Sequence, residues 1–286
     1  MGPTPTGEWS GPVVVVALRP ARPRAAVLEP AVVAGEGGRL LPTLALSPDE
    51  CRSALSTEER VTAGPEFANA GLHGYVADVV LPGLESSGLA LSGAQVLELG
   101  AGSGSFATRL AQRGASVVAA DVASGGYSDY SGPGEFVALN LDTPAFATTF
   151  AGRTFDLVVA IEVIEHLESP LGFLREAAQL TRPGGYVVVT TPNVDNFPSR
   201  ILFGVSGQLR GASATDDPGH ISPILLWTFT QRIVPRTGLR LEQQWRYPPH
   251  GFLSGPGLKR RALTAAAPLL RRAGLHGDNH VFVLRK

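Results

Sequence analysis

Short apolar runs alternate with helix-like segments from Gln95 onward. The runs that predict strands are 96–99, 117–120, 136–139, 155–161 and 186–191. The fourth run is apolar throughout, which is typical of a strand buried on both faces of a parallel sheet. Helices are predicted between the strands, from about Ser105 to Arg113 and after Ser169-Pro170. This alternation indicates an α/β fold with a doubly wound, mostly parallel, Rossmann-like sheet.

The regions on either side of this core are less regular. Toward the end of the chain we predict a helix over 224–237, a strand over 239–245, an amphipathic basic helix over 258–273 and a strand over 280–284. The two late strands suit an antiparallel pair at the sheet edge, which gives seven strands. Residues 1–62 predict an accessory segment of short strands and then a helix. The main domain is expected over 63–286, with a helical insertion at about 248–275.

The composition and charge of the chain indicate which kind of molecule the protein binds. The formal net charge is −1 and charges are scattered, so no footprint for nucleic acid or a membrane surface is present, and a small-molecule partner is favoured. No apolar run is long enough to span a bilayer. The single cysteine, Cys51, cannot form an internal disulfide, which favours a cytoplasmic protein. The helix over 258–273 is either a surface element or a homodimer contact.

The glycine-rich segment 97–104, Leu-Glu-Leu-Gly-Ala-Gly-Ser-Gly, joins the first strand to a helix. Open α/β sheets bind ligands at this position. Glycines let a ligand approach the main chain, and the helix N-terminus offers N–H groups to a carboxylate. A dinucleotide-binding fingerprint requires a glycine at the position of Ser105. The sequence therefore disfavours the hypothesis that the protein is an NAD-dependent oxidoreductase. Asp121 and Asp142 follow the second and third strands, where they can accept hydrogen bonds from a ribose and an adenine amino group.

The series LELGAGSG, VVAAD, FDLVVAIEVIEHL and RPGGYVVVTTPN, between Gln95 and Asn193, resembles class I methyltransferases that use S-adenosylmethionine (SAM). The resemblance implies that the glycine turn borders the methionine part of SAM, Asp121 the ribose, and Leu141 with Asp142 the adenine. The cofactor-binding residues expected from it are Glu98, Gly100, Ala101, Gly102, Gly104, Asp121, Leu141, Asp142 and Glu162.

The candidate catalytic residues are Glu165, His166 and His220. On a helical turn, Glu162, Glu165 and His166 would share one face, as ligands of a divalent metal do. The segment also resembles ubiquinone-biosynthesis O-methyltransferases, which implies metal dependence. Two alternatives stay open for it: His166 as a general base, and a purely structural role.

The expected activity is methyl transfer from SAM to a small-molecule acceptor, most suitably at an oxygen nucleophile. Two other functions remain as alternatives from different classes. One is an NAD-dependent oxidoreductase, and the other is a non-catalytic module of the same fold that binds a protein partner. If the protein is a methyltransferase, SAM is the expected cofactor. A divalent metal is a second expected cofactor if the Glu-His segment binds one.

Overall fold

The computed structural model describes residues 70–122, 130–213, 216–252 and 257–286. The predicted accessory segment, 1–62, lies outside the described residues. All described residues belong to one compact unit. Within these ranges no helix is both long and apolar enough to cross a bilayer.

Seven strands form one sheet in the order β3-β2-β1-β4-β5-β7-β6. They are β1 (Gln95–Leu99), β2 (Ser116–Asp121), β3 (Glu135–Ala138), β4 (Phe155–Ala160), β5 (Thr181–Pro192), β6 (Arg240–Tyr247) and β7 (Asn279–Arg285). The first five are parallel, whereas β7 is antiparallel to both β5 and β6. The predicted α/β fold with an antiparallel edge pair is confirmed.

Helices pack on both faces of this sheet. They are α1 (Ala70–Tyr75), α2 (Leu81–Ser86), α3 (Ser105–Gln112), α4 (Pro170–Leu180), α5 (Phe197–Ser206), α6 (Leu226–Thr228) and α7 (Gly257–Arg272). A π-helical turn, Val76–Val80, joins α1 to α2, and α6 continues as a π-helical turn and a 3-10 turn up to Arg236. The helix predicted over 224–237 is therefore present as three short helical pieces.

The sheet separates two apolar clusters. One contains Leu97, Val158 and Phe282 and packs against α4, and the other contains Val96, Val159 and Val281 and packs against α1, α2 and α3. Alternate residues of each central strand enter opposite clusters because successive side chains point to opposite faces. Central strands buried on both faces explain why β4 is apolar along most of its length.

Two local features differ from the sequence-based expectation. Strand β5 begins at Thr181 rather than Tyr186, because Thr181 already pairs with Phe155 and the segment Arg-Pro-Gly-Gly forms an irregularity inside the strand. Helix α5 was not predicted. Its start has the expected chemistry, since the Asn196 side chain accepts a hydrogen bond from the Ser199 N–H at 2.9 Å, and Gly207 ends the helix with a positive φ.

Candidate active site

The glycine turn lies at the carboxyl end of β1, beside the carboxyl end of β4. Gly100 has φ +75°, and a Cβ there would lie 2.3 Å from Val163 Cγ2, so only glycine fits this contact. Gly102 has φ +52°, and no atom among the described residues lies within 4 Å of the position of a Cβ. The turn is therefore packed tightly at Gly100 and open at Gly102.

Asp121, at the end of β2, is tied to this turn. Its Oδ2 accepts a hydrogen bond from the Gly102 N–H and its Oδ1 accepts one from the Val122 N–H, both at 2.6 Å. Each carboxylate oxygen has a second acceptor position, so Asp121 keeps capacity for ligand hydroxyls. The predicted ribose-binding acid and the glycine turn thus lie together.

Glu98 is almost fully buried next to the same turn. Its Oε2 atom has no hydrogen-bond partner in the part of the chain that the structure describes. Burial, followed by the neighbouring charge of Asp121, raises the pKa of the Glu98 carboxyl to about 8. A cation placed here would stabilise the carboxylate form of Glu98.

Leu141 and Asp142 follow β3. Leu141 is buried, whereas Asp142 is exposed. The Asp142 Oδ1 accepts a hydrogen bond from the Glu168 N–H at 2.9 Å. This bond links the loop after β3 to the loop that follows the Glu-x-x-Glu-His segment.

Glu162 does not share a helical face with Glu165 and His166, so that part of the sequence-based reasoning is wrong. The helical turn is a 3-10 turn that begins only at Ile164, and Glu162 precedes it with φ +56°. The Glu162 carboxylate instead accepts hydrogen bonds from Thr190 Oγ1 at 3.0 Å and Asn279 Nδ2 at 2.8 Å. Burial raises the pKa of Glu162 to about 7.

Glu165, His166 and His220 form one group. Each offers a potential metal-ligand atom, and these three atoms lie within 4.8 Å of one another. The two imidazole rings meet edge to face with centroids 4.6 Å apart. His220 reaches the group from the loop between α5 and α6, which the Ser222 N–H anchors by donating to the Glu165 carbonyl at 2.8 Å.

The Glu165 carboxylate is the least satisfied group of the site. The residue is 1% exposed, and neither carboxylate oxygen has a hydrogen-bond partner among the described residues. The Thr191 hydroxyl is near enough to lower the pKa of Glu165, but it does not reach hydrogen-bond geometry. Burial, and then the charge of Glu162, hold that pKa well above its usual range. A buried carboxylate without a partner calls for a proton or a cation.

Each of the two histidines places a ring nitrogen near this carboxylate. The His220 Nδ1 contacts the Gly211 carbonyl, which can only accept, so the proton is on Nδ1 and the Nε2 lone pair is free to bind a ligand. Burial and the neighbouring His220 lower the pKa of His166, and Asp217 and the Gly219 backbone partly oppose this. His166 is therefore neutral at pH 7, as a ligand or a base must be.

Two polar partners of this site are not predicted from the sequence. Thr190 and Asn279 hold Glu162, yet they come from β5 and β7. Asn279 belongs to no motif, and the RPGGYVVVTTPN segment that contains Thr190 assigns it no role; the pairing of β5 with β7 brings the two residues together.

Comparison with known families assigns the chain. A methyltransferase-domain family model matches residues 73–247, more than half of the chain. This protein belongs to the methyltransferase-domain family. The resemblance to class I SAM-dependent methyltransferases is thereby confirmed. This membership disfavours the NAD-dependent oxidoreductase.

Curated relatives match over the central part of the chain. A ubiquinone biosynthesis O-methyltransferase of Parvibaculum lavamentivorans is 36% identical over 100 residues, which are 34% of this chain and 40% of that enzyme. The enzyme of the same name from Ruegeria pomeroyi is 37% identical over 105 residues, or 36% and 42% of the two chains. The chain thus matches less than half of the length of either relative.

Solved structures of methyltransferases are also similar to this chain. Magnesium protoporphyrin IX methyltransferase from Synechocystis, with bound S-adenosylhomocysteine, is 18% identical. That similarity covers 83% of this chain and 97% of the other, with a TM-score of 0.49.

Proposed function

We propose that this protein methylates an oxygen of a small-molecule acceptor, and that a divalent cation held by Glu165, His166 and His220 takes part. The observation that carries the proposal is the buried Glu165 carboxylate, which has no partner among the described residues and faces two imidazoles. Oxygen as the acceptor atom rests on the O-methyltransferase names of the curated relatives.

The donor set fits such an ion. One carboxylate and two imidazoles suit a borderline or hard divalent cation. The ring nitrogen of His220 that does not face the group is fixed by the Gly211 carbonyl, as is usual for metal-binding histidines. Glu162 adjoins the set, but both of its oxygens already accept hydrogen bonds, so it would join the ion only by giving one up.

The cofactor site is proposed on the neighbouring turn. Gly100, Ala101, Gly102 and Gly104 would border the methionine part of SAM, with Glu98 beside its ammonium group. Asp121 would accept hydrogen bonds from the ribose hydroxyls, and Leu141 and Asp142 would adjoin the adenine. Direct packing of Gly100 on Val163 supports this placement, because it brings the turn next to the Glu165 group.

Methyl transfer needs alignment more than covalent help, because SAM supplies an already activated methyl group. A divalent cation, when bound, supplies a Lewis acid that lowers the pKa of an acceptor hydroxyl. Glu165, His166 and His220 would hold that ion, and the Gly100–Val163 contact would keep it beside the cofactor turn. His166 alone as a general base is the second candidate, supported by its lowered pKa, which leaves a neutral imidazole at pH 7.

Product analysis tests the acceptor atom. The protein is incubated with methyl-labelled SAM and catechol as a probe acceptor, and the methylated product is identified by NMR. We expect an O-methyl product. Transfer only to nitrogen or carbon acceptors, in a wider panel of small molecules, would contradict the proposal.

Treatment with a chelator distinguishes the two candidate mechanisms, a bound divalent cation and His166 as a general base. We expect activity to be lost on treatment with a chelator and restored by magnesium or manganese. Activity that resists the chelator and falls as the pH drops through the pKa of an imidazole would favour His166 as the base instead. The partner is proposed to be a small molecule, and a cytoplasmic location and a homodimer remain predictions from the sequence.

A further inference from the structure

A second group of nitrogen-bearing side chains lies at the edge of the sheet. Arg246 near the end of β6 pairs across the ladder with His280 at the start of β7, and His276 stands in the loop just before β7. His280 is 0% exposed, His276 is buried and Arg246 is half-buried. The methyltransferase motifs do not include any of these residues.

Each of the three side chains has an unsatisfied nitrogen. Arg246 Nε, His276 Nδ1 and His280 Nε2 are buried without a hydrogen-bond partner in the described ranges. Buried polar atoms almost always have partners, so three such atoms in one group indicate a missing ligand. None of the ion pairs formed within these ranges involves Arg246.

The surroundings of this group are electropositive. After burial, the causes that lower the pKa of His276 are its basic neighbours Arg246, Arg271 and His250. For His280 they are again burial first, and then Arg246 and His276. The one acid that acts on Arg246 is Asp195, and its Oδ2 already accepts a hydrogen bond from the Leu226 N–H at 2.6 Å. An anion is the ligand that this charge distribution favours.

The loop that carries His276 is held firmly. Asn193 Nδ2 donates to the carbonyls of His276 at 3.0 Å and Gly277 at 3.1 Å, and Asn196 Nδ2 donates to Gly277 at 3.0 Å. Both asparagines are buried. Gly274 lies close to the Arg246 guanidinium, since a Cβ at Gly274 would be in van der Waals contact with Arg246 Nη2 at 3.4 Å. The group is therefore positioned before any ligand arrives.

We propose that Arg246 and His276 bind an oxyanion, a carboxylate or phosphate, that the methyl acceptor carries. This inference rests on the proposed function, because it takes the acceptor to react beside Glu165. Thr191, next to Glu165, pairs with His280, and His280 pairs with Arg246. Two strand spacings separate Thr191 from Arg246, about 10 Å. The acceptor would then be an anionic molecule whose oxyanion lies about this far from its reacting hydroxyl.

A matched pair of probes tests the site. One is a catechol with a propanoate side chain, and the other is the corresponding propanamide, which has the same shape without the charge. Calorimetry with S-adenosylhomocysteine present measures both affinities on the full chain. We expect the wild type to bind the carboxylate about 10-fold or more tightly than the amide, as hydrogen bonds to charged groups provide.

Variants show whether Arg246 is responsible. Arg246→Gln should abolish the preference, and Arg246→Lys should keep part of it because a lysine retains the charge but not the planar fork. Arg240→Gln, on the same strand at an exposed position, is the matched control and should keep the full preference. Circular dichroism verifies that each variant is folded, and His276→Gln provides a second test that leaves Arg246 in place.

The outcomes separate this site from the proposed function. Equal affinities in the wild type, or a preference that survives Arg246→Gln, would overturn the inference. Inorganic phosphate should compete with the carboxylate probe but not with the amide. Phosphate that binds without changing the affinity of the carboxylate probe would overturn the assignment to the acceptor. A full preference without methyl transfer to either probe would contradict the proposed O-methylation and leave the oxyanion site standing.

Discussion

The two parts of the proposed site, the cofactor side and the acceptor side, are built in different ways. On the cofactor side, Glu98, the glycine turn and Asp121 come from two consecutive strands: Asp121 accepts a hydrogen bond from the turn, and its charge acts on Glu98. On the acceptor side, Glu165 and His166 meet His220 from a separate loop. A site made from one continuous stretch reveals its chemistry in the sequence, whereas a site made from distant segments reveals it only after folding.

Filling the open position of the glycine turn should have the largest effect on the cofactor side. We expect Gly102→Val to bring SAM affinity below what calorimetry detects, because the added methyl groups would occupy the space that the cofactor needs. Gly93→Val is the matched control, since Gly93 also has a positive φ and an open Cβ position but stands before β1. Both variants carry similar backbone strain. Normal SAM binding by folded Gly102→Val would refute the assignment.

Removing the unpartnered carboxylate should have the largest effect on the acceptor side. Glu165→Ala is expected to lower kcat by about 100-fold or more, because it removes either a metal ligand or the carboxylate next to the base. SAM affinity should change little. Glu168→Ala, an exposed carboxylate three residues later, is the control. Equal turnover in the two variants would reduce the Glu-His segment to a packing role.

Substitution of Asp121 should have an intermediate effect on SAM affinity. Two variants distinguish its proposed binding of the ribose from its hydrogen bond to the glycine turn. Asp121→Ala should weaken SAM binding by about 1.5–3 kcal/mol. Asp121→Asn keeps an acceptor for the Gly102 N–H and should lose less. Calorimetry of both variants measures the difference. Unchanged SAM affinity in Asp121→Ala would remove this residue from the cofactor site.

The smallest expected effect is a pH dependence on the cofactor side. With a pKa of about 8, Glu98 is protonated in the free protein at pH 7. The ammonium group of SAM favours the carboxylate, so binding should release a proton. Affinity should rise by at most about tenfold per unit as the pH approaches 8. Calorimetry in two buffers of different ionisation enthalpy measures this release, and Glu98→Gln should show none.

The same shift affects the stability of the free protein. The folded-state pKa of Glu98 is raised, so its contribution is fully present below the unfolded pKa, about 4.5, and is lost as the pH rises through about 8. The Tm of the wild type should therefore fall across this range more than the Tm of Glu98→Gln. Parallel Tm profiles would contradict the raised pKa.

Much of the fold follows from local patterns. The apolar runs predict the central parallel strands, because these strands are buried on both faces. The predicted beginning of β5 at Tyr186 is wrong. The segment Pro183-Gly184-Gly185 is typical of a turn, but the pairing of Thr181 with Phe155 keeps it in the sheet. No helix is predicted from the sequence at α5, although Asn196 is a typical N-cap and Gly207 is a typical residue at the end of a helix.

The candidate site was predictable only in part. The Glu-x-x-Glu-His spacing indicates an acidic and imidazole group, but not that Glu162 turns away with a positive φ toward Asn279. The spacing rule assumes a regular helix, and the chain forms a 3-10 turn that starts two residues after Glu162. The proximity of Arg246 to His276 depends on the pairing of β6 with β7, which no local motif encodes.

The position of β7 determines the order in which the sheet can form during synthesis on the ribosome. Strand β7 follows β6 in the chain, yet it lies between β5 and β6 in the sheet. During synthesis, β6 emerges with no neighbour to pair with, and Glu162 has no Asn279 to hold it. A nascent chain that already displays its complete glycine turn therefore lacks β6 in its sheet and the Asn279 hydrogen bond to Glu162. The seven-stranded sheet should form late and abruptly, when β7 inserts between β5 and β6.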